Sequence, residues 1–319
     1  MATRATWHDP RRTGYEVPDE TIRRDFSGPI VVITDGTPRS ERALAAAALL
    51  GARTGSTVDV LSIVVEQEPS SSHPDEQRRV SAAVRDRRAE VTQQVSVVAG
   101  ATADWPVDVA TTRNAGRAAA EFAESRGARL VVISREAKAA GDDGASGNLA
   151  LDVVEYSNAP VYVVARDAIA LARTAIVGVD LGPSALRVAR IAASLIAQQG
   201  NVTLLHVIDY EETPALLGRA EHDLEAARRV LESTTSSLKA ISRISCLPSI
   251  VFGDVAKTLV ALAHASSLTV VAIGMARSDS SEPGARRSRG RTVAAELIGA
   301  TPCPVLVVPT LPAAHEAPS

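Results

Sequence analysis

The chain has 319 residues, of which 45% are hydrophobic and 22% charged, and its formal net charge is −3. This composition is typical of a globular protein of about two domains, and the slightly acidic balance with only 3% aromatic residues excludes a general nucleic-acid binder. No apolar run approaches the ~20 residues of a membrane span, and two cysteines suit a reducing compartment, so we expect a cytoplasmic protein without nucleic-acid or membrane partners.

From residue 28 onward the sequence repeats itself. An apolar run that ends at Asp35 recurs 145 residues later, where it ends at Asp180. Later apolar runs recur at offsets of 140 to 144 residues, which predicts two copies of one domain. The polar start lacks the apolar core of a secretory signal. The predicted divisions are a flexible N-terminal tail at 1–27, a first domain at 28–166, a linker at 167–173, a second domain at 174–310 and a C-terminal tail at 311–319.

In each copy, short runs rich in Val and Ile alternate with longer stretches rich in Ala, Leu, Glu and Arg. The apolar runs are continuous, which is typical of strands covered on both faces, and the alternation favours a parallel sheet with right-handed crossovers. Each copy is therefore predicted to be a doubly wound α/β domain, a five-stranded parallel sheet with helices on both faces. The predicted strands are 30–34, 58–65, 107–111, 130–134 and 161–165, then 175–179, 202–208, 247–252, 269–273 and 304–308. The predicted helices are 39–54, 76–99, 115–127 and 148–157, then 184–199, 219–240, 254–266 and 292–300.

Ligands of such sheets bind beyond the carboxyl ends of the strands, at the point where the strand order reverses. The informative positions are therefore the loops after the first, second and fourth strands of each copy. Asp35 and Asp180 follow the first strands, and the loops after the fourth strands begin at Ser134 and Gly274.

At these residues the sequence resembles the universal stress protein family, in a tandem form that spans about 28–310. In the second copy, VGVDLGPSALRVARIAASLIAQQGNVTLLHVID is similar to the family's opening strand, Asp and helix. GDVAKTLVALAHASSLTVVAIG and TPCPVLVVP are similar to its third helix, fourth strand and closing strand. The resemblance implies an adenine-nucleotide α-hydrolase-like fold and pairing of the two domains through their closing strands as an intrachain pseudo-dimer. Whether two chains pair further as a homodimer stays open.

The family's ATP-binding members carry G-x2-G-x9-G-[ST] after the fourth strand. Glycines let the backbone approach the phosphates, and the Ser or Thr donates a hydroxyl. The first copy keeps this spacing, but Ser134 and Ala137 replace two glycines, Gly147 matches the third, and Asn148 replaces the Ser or Thr. Its loop at 135–146 has two basic and three acidic residues, a balance that repels a triphosphate.

In the second copy Gly274 matches the first glycine and Arg277 replaces the second, while either Gly290 or Arg291 stands at the third, before Thr292. The loop at 275–291 holds five Arg against two acidic residues. Arg fits phosphate oxygens well, and two unit charges 4 Å apart interact by about 4 kcal/mol at an effective dielectric of 20. We therefore expect ATP, with Mg²⁺, mainly in the second copy. The candidate contacts there are Asp180, Val207, Ile273, Gly274, Arg277, Gly290, Arg291, Thr292 and Val293, and the weaker candidates of the first copy are Asp35, Ile63, Ser134, Gly147 and Asn148.

Several of these residues also have structural interpretations. Asp35, Asp180 and Thr292 suit helix N-caps, and the arginines of the second loop suit a solvated surface. His206 is expected to be a structural histidine, and Cys246 and Cys303 are expected to be buried. The arginine-rich run Gln77 to Arg88 is interpreted as a solvated helix face.

No catalytic dyad, Walker-type lysine motif or metal-ligand cluster is recognised in the sequence, so we expect a stress-linked sensor or regulator and not an enzyme. Three alternatives remain. The broken glycine motifs favour a protein-interaction module that no longer binds nucleotide and docks a protein partner. The arginine-rich loop suits another anion, such as a cyclic or highly phosphorylated nucleotide. An enzyme of the wider adenine-nucleotide α-hydrolase-like group would need a substrate site and an activating acid or base, and we can name neither.

Overall fold

A computed structural model describes the two repeats but not the ends of the chain. The described residues are 28–65, 74–137, 148–165, 170–208, 217–241, 244–266, 268–276 and 289–310. The predicted tails at 1–27 and 311–319 lie outside these ranges, as do residues 166–169 at the junction of the repeats.

Ten strands and eight helices alternate along the described residues, as the two repeats predict. The strands are β1 (Ile30–Thr34), β2 (Val58–Val65), β3 (Val107–Thr112), β4 (Leu130–Ser134), β5 (Val161–Val164), β6 (Thr174–Gly178), β7 (Asn201–Ile208), β8 (Ser245–Phe252), β9 (Thr269–Ala276) and β10 (Val305–Thr310). The helices are α1 (Glu41–Thr54), α2 (Pro74–Ala99), α3 (Ala115–Ser125), α4 (Leu149–Tyr156), α5 (Ala185–Leu195), α6 (Leu217–Ile241), α7 (Val255–Ala265) and α8 (Arg289–Ala300).

The strands form one sheet in the order β3-β2-β1-β4-β5-β10-β9-β6-β7-β8. Within each repeat all neighbouring strands are parallel, whereas β5 and β10 are antiparallel, with Leu306 opposite Tyr162. The expected pairing of the two domains through their closing strands is therefore confirmed. Because β5 and β10 run in opposite directions, the two sets of strands point in opposite directions. The C-terminal ends of β1–β5 therefore lie beside the N-terminal ends of β6–β10.

Apolar side chains from successive strand residues cover both faces of the sheet. In β1, Ile30 and Val32 join the core under α1, α2, α5 and α6, while Val31 and Ile33 join the core under α3, α4, α7 and α8. All four side chains are at most 1% exposed. Complete burial of such a side chain contributes about 1.5–3 kcal/mol, which explains why continuous apolar runs mark the strands of this fold.

Helix α5 ends at Leu195, four residues before the predicted end. Arg53, from α1 of the first domain, donates from Nε to the carbonyl of Ile196 at 3.0 Å, and the chain there is extended. Gly200 then packs so closely that a Cβ would lie 2.6 Å from the carbonyl oxygen of Arg173. The helix therefore ends where Arg53 of the first domain contacts the chain, five residues before Gly200.

Among the other boundaries that differ from the prediction, two bear on the candidate site, namely the end of β9 and the start of α8. Strand β9 continues to Ala276, because its last residues pair with Val308–Thr310 of β10. Gly274, predicted to follow this strand, lies within it. Helix α8 begins at Arg289 and not at Thr292.

Candidate functional site

The strand order reverses between β1 and β4 in the first domain and between β6 and β9 in the second. The crevices beyond these strand ends are the places where doubly wound sheets bind ligands. Because the two sets of strands run in opposite directions, the two crevices lie at opposite edges of the sheet.

In the first crevice, the carboxylate of Asp35 is buried and bonded within its own loop. Only 6% of the surface of Asp35 is exposed. Oδ1 accepts from the backbone N–H of Thr37 at 2.9 Å and from the Thr37 hydroxyl at 2.7 Å. The N-cap of α1 is Ser40. Asp35 therefore stabilises the turn before the helix, and the interpretation of this residue as the helix N-cap is wrong.

Side chains of α2 bond to the same loop. The Thr34 hydroxyl donates to Gln94 Oε1 at 3.0 Å, and Gln94 Nε2 donates to the carbonyl of Thr37 at 2.8 Å. Arg87 donates from Nη1 to the carbonyl of Asp35. Arg87 was predicted to lie on a solvated helix face, and that prediction is wrong for this residue, because its side chain is only 20% exposed and bonds to the loop after β1.

The loop after β4 also contacts the loop after β1. Ser134 is 4% exposed, and its hydroxyl donates to the carbonyl of Arg39 at 3.1 Å. Arg135 points to the second domain, where its Nη2 donates to the carbonyl of Thr301 at 2.5 Å, and burial lowers its pKa. Side chains of the first domain therefore bridge its crevice directly.

The remaining candidates of the first domain are Ile63, Gly147 and Asn148. Ile63 is buried in β2, so only its main chain is available to a ligand. Asn148 is the N-cap of α4, and its Oδ1 accepts from the backbone N–H of Ala150 at 3.0 Å. Gly147 lies outside the described residues.

In the second crevice, by contrast, Asp180 is exposed. Its Oδ1 accepts from the backbone N–H of Gly182 at 3.0 Å, and the N-cap of α5 is Ser184. The N-cap interpretation is therefore wrong for Asp180 too. The carboxylate accepts one hydrogen bond within the turn and faces solvent beyond the C-terminal end of β6.

Neighbouring strands bring further candidates to this edge. Val207 and Ile273 are 9% and 5% exposed, so a ligand there would meet their main chain. Gly274 packs against Thr310, because a Cβ added to Gly274 would lie 3.1 Å from Thr310 Cγ2. His206 is a structural histidine as expected, with Nδ1 2.7 Å from the carbonyl oxygen of Val179.

The first turn of α8 carries the last candidates. Arg291 forms an ion pair with Glu155 of α4, with 2.6 Å between Nη1 and Oε1. Gly290 is in this turn, and Thr292 is exposed there, so the interpretation of Thr292 as the helix N-cap is wrong. Val293 packs partly buried against the core. Arg277 lies outside the described residues.

Three residues that shape these crevices, Arg87, Gln94 and Glu155, were not selected as candidates from the sequence. No sequence signal indicates the contacts of Arg87 and Gln94 with the loop after β1, or the pairing of Glu155 with Arg291. In the described part of the chain, no cluster of three or more His, Cys, Asp or Glu is placed to hold a metal ion. None of the described helices combines the length and apolarity needed to cross a bilayer.

Comparison with known proteins gives a consistent result. The model of the universal stress protein family matches residues 27–165 and again residues 172–309. A universal stress protein from Archaeoglobus fulgidus DSM 4304 is 16% identical, with a TM-score of 0.60 over 89% of this chain and 97% of that one. A putative universal stress protein from Pseudomonas aeruginosa UCBPP-PA14 is 14% identical, with a TM-score of 0.55 over 90% of this chain and 95% of that one. The search of curated proteins found no match.

Proposed function

Because the chain belongs to the universal stress protein family and carries its domain twice, we propose that it is a cytoplasmic stress-response sensor or regulator. It binds an adenine nucleotide, ATP with Mg²⁺, in the crevice of the second domain. The role is binding and signalling, and turnover of the nucleotide is at most incidental.

The observation that carries this proposal is the contrast between the two equivalent carboxylates. Asp180 is exposed at its crevice and holds one turn bond. Asp35 is 6% exposed and accepts two bonds from Thr37. An exposed carboxylate can accept hydrogen bonds from a nucleoside, whereas a ligand would have to displace the internal partners of Asp35. This contrast favours the second domain.

The charge of the second loop supports the same choice. Residues 275–291 carry five Arg and two acidic residues in the sequence. Of these, Arg291 is engaged by Glu155, but both side chains are partly exposed, at 45% and 33%. Exposed ion pairs contribute only about 0.2–1 kcal/mol. A polyphosphate with several charges can therefore compete with Glu155 for Arg291.

Calorimetric titration of nucleotide-stripped full-length protein with MgATP tests the proposal. We expect one binding site per chain. Asp180→Ala should weaken binding about tenfold, which corresponds to ~1.4 kcal/mol. Thr292→Ala should also weaken it, whereas Asp104→Ala, which removes an exposed carboxylate outside both crevices, should not. No heat of binding at millimolar MgATP would refute the proposal.

A second candidate function, docking of a protein partner without nucleotide, is favoured by a different surface. Strand β8 is at one edge of the described sheet. Two of its apolar side chains, Leu247 and Phe252, are 59% and 50% exposed. Unpaired edge strands with exposed apolar residues are suited to pairing with another chain. If MgATP does not bind, this function becomes the leading one, and Leu247→Lys should then abolish partner capture.

A further inference from the structure

Arg87 lies against the main chain where the first crevice begins. It extends from α2, its side chain is 20% exposed, and its Nη1 donates to the carbonyl of Asp35. Gly36, which follows Asp35, has a φ of +71°. A Cβ added to Gly36 would lie 2.5 Å from Arg87 Nη1. A side chain at Gly36 would therefore have to push the Arg87 guanidinium aside.

The guanidinium already has acceptors within the first domain. Its Nη1 donates to the carbonyl of Asp35 and is 3.4 Å from Glu90 Oε2, and its side chain is more buried than that of Arg291. An incoming anion would have to displace the main-chain bond as well as the partly exposed ion pair with Glu90.

The second domain differs at both members of this contact. Buried residues on the long helices share one spacing, which aligns α2 with α6 at an offset of 140 residues. They are Val91, Gln94 and Val95 in α2, and Leu231, Thr234 and Thr235 in α6. This alignment places Ala227, which is fully buried, at the position of Arg87. Leu181, with a φ of +61°, stands at the position of Gly36.

We infer that Arg87 is a built-in occupant of the first crevice that excludes nucleotide from it, and that its counterpart Ala227 is too short to do the same in the second crevice. The statement about the second crevice rests on the proposed function, whereas the statement about Arg87 does not. Gln94 and Ser134 bond to the main chain of the same loop, at the carbonyls of Thr37 and Arg39, and fix its position beside the guanidinium. The chain therefore has one working nucleotide site, and its first domain is a locked copy.

Photolabelling of the full chain with 8-azido-ATP and Mg²⁺, followed by peptide mapping, tests the inference. In the wild-type protein we expect label only on peptides of the second domain. Arg87→Ala should raise labelling of first-domain peptides about tenfold or more, because it removes a charge-assisted hydrogen bond that closes the crevice. Arg85→Ala, which removes an exposed arginine of the same helix, should give the wild-type pattern.

The possible results separate this inference from the proposed function. First-domain label in the wild-type protein, or none in Arg87→Ala, overturns the role of Arg87. Absence of label from the second domain overturns the proposed function, while first-domain label that appears only in Arg87→Ala still supports the inference.

A measurement without nucleotide protects the test against misfolding. Gly36→Ala should lower the melting temperature more in the wild-type background than in Arg87→Ala, since the added methyl displaces the guanidinium only where it is present. Equal shifts in the two backgrounds would show that the side chain does not occupy this space.

Discussion

Substitution of the two equivalent aspartates should separate stability from ligand affinity. Asp35→Ala removes two hydrogen bonds to a charged acceptor in a residue 6% exposed. Bonds to charged groups contribute about 1.5–3 kcal/mol each and are not additive when they share one acceptor. We expect Asp35→Ala to lower the free energy of unfolding by about 2–4 kcal/mol. Asp180→Ala removes one exposed turn bond, and we expect a loss below about 1 kcal/mol.

Affinity for MgATP should show the reverse order. Asp180→Ala should weaken binding about tenfold, or ~1.4 kcal/mol, while Asp35→Ala should change it little. Urea unfolding followed by circular dichroism measures stability, and calorimetry at a temperature where every variant is folded measures binding. An equal loss of affinity from Asp35→Ala would refute the asymmetry of the two crevices. A small stability effect of Asp35→Ala would refute the assigned role of its hydrogen bonds.

Three further predictions concern buried groups. Burial raises the pKa of the Tyr162 hydroxyl in the folded protein. As the pH rises, the unfolded chain loses this proton first, so the free energy of unfolding should fall above about pH 10. In alkaline unfolding curves, Tyr162→Phe should reduce this dependence of stability on pH, and Tyr156→Phe, at an exposed tyrosine, should not. Burial also raises the pKa of the Cys246 and Cys303 thiols, so a disulfide reagent at pH 8 should label neither thiol in the native protein and both in urea; rapid native labelling would contradict this. Arg53→Ala should lower the free energy of unfolding by about 1 kcal/mol in urea titrations, because loss of the charge-assisted bond and the buried stem between the domains is partly offset by removal of a buried Nη1 that has no hydrogen-bond partner among the described residues. A raised midpoint would show that this contact does not stabilise the pairing of the domains.

Strand positions were predictable because burial on both faces requires continuous apolar runs. Each of the ten observed strands overlaps its predicted range, and β1, β2 and β4 match it at both ends. The ends that differ depend on partners far away in the chain. Strand β9 is lengthened by its pairing with β10, and α5 ends where Arg53 of the first domain bonds to the carbonyl of Ile196.

The candidate site was predictable only as a set of positions. The repeat and the parallel sheet place Asp35 and Asp180 after equivalent strands, and nothing in either local sequence shows which of the two is buried. That difference comes from Thr37 and from side chains of α2, which is far away in sequence. The N-cap interpretations failed because the helices begin at Ser40 and Ser184, beyond the turns that the aspartates hold.

The sequence by itself determined the repeated domain, the parallel sheet of each copy and the edge at which a ligand would bind, because periodicity and strand order depend on local patterns. The tertiary structure decided how the two equivalent aspartates are placed, Asp35 buried and Asp180 exposed. Contacts such as that of Arg87 with the carbonyl of Asp35 join residues far apart in the sequence, so only the folded chain shows them.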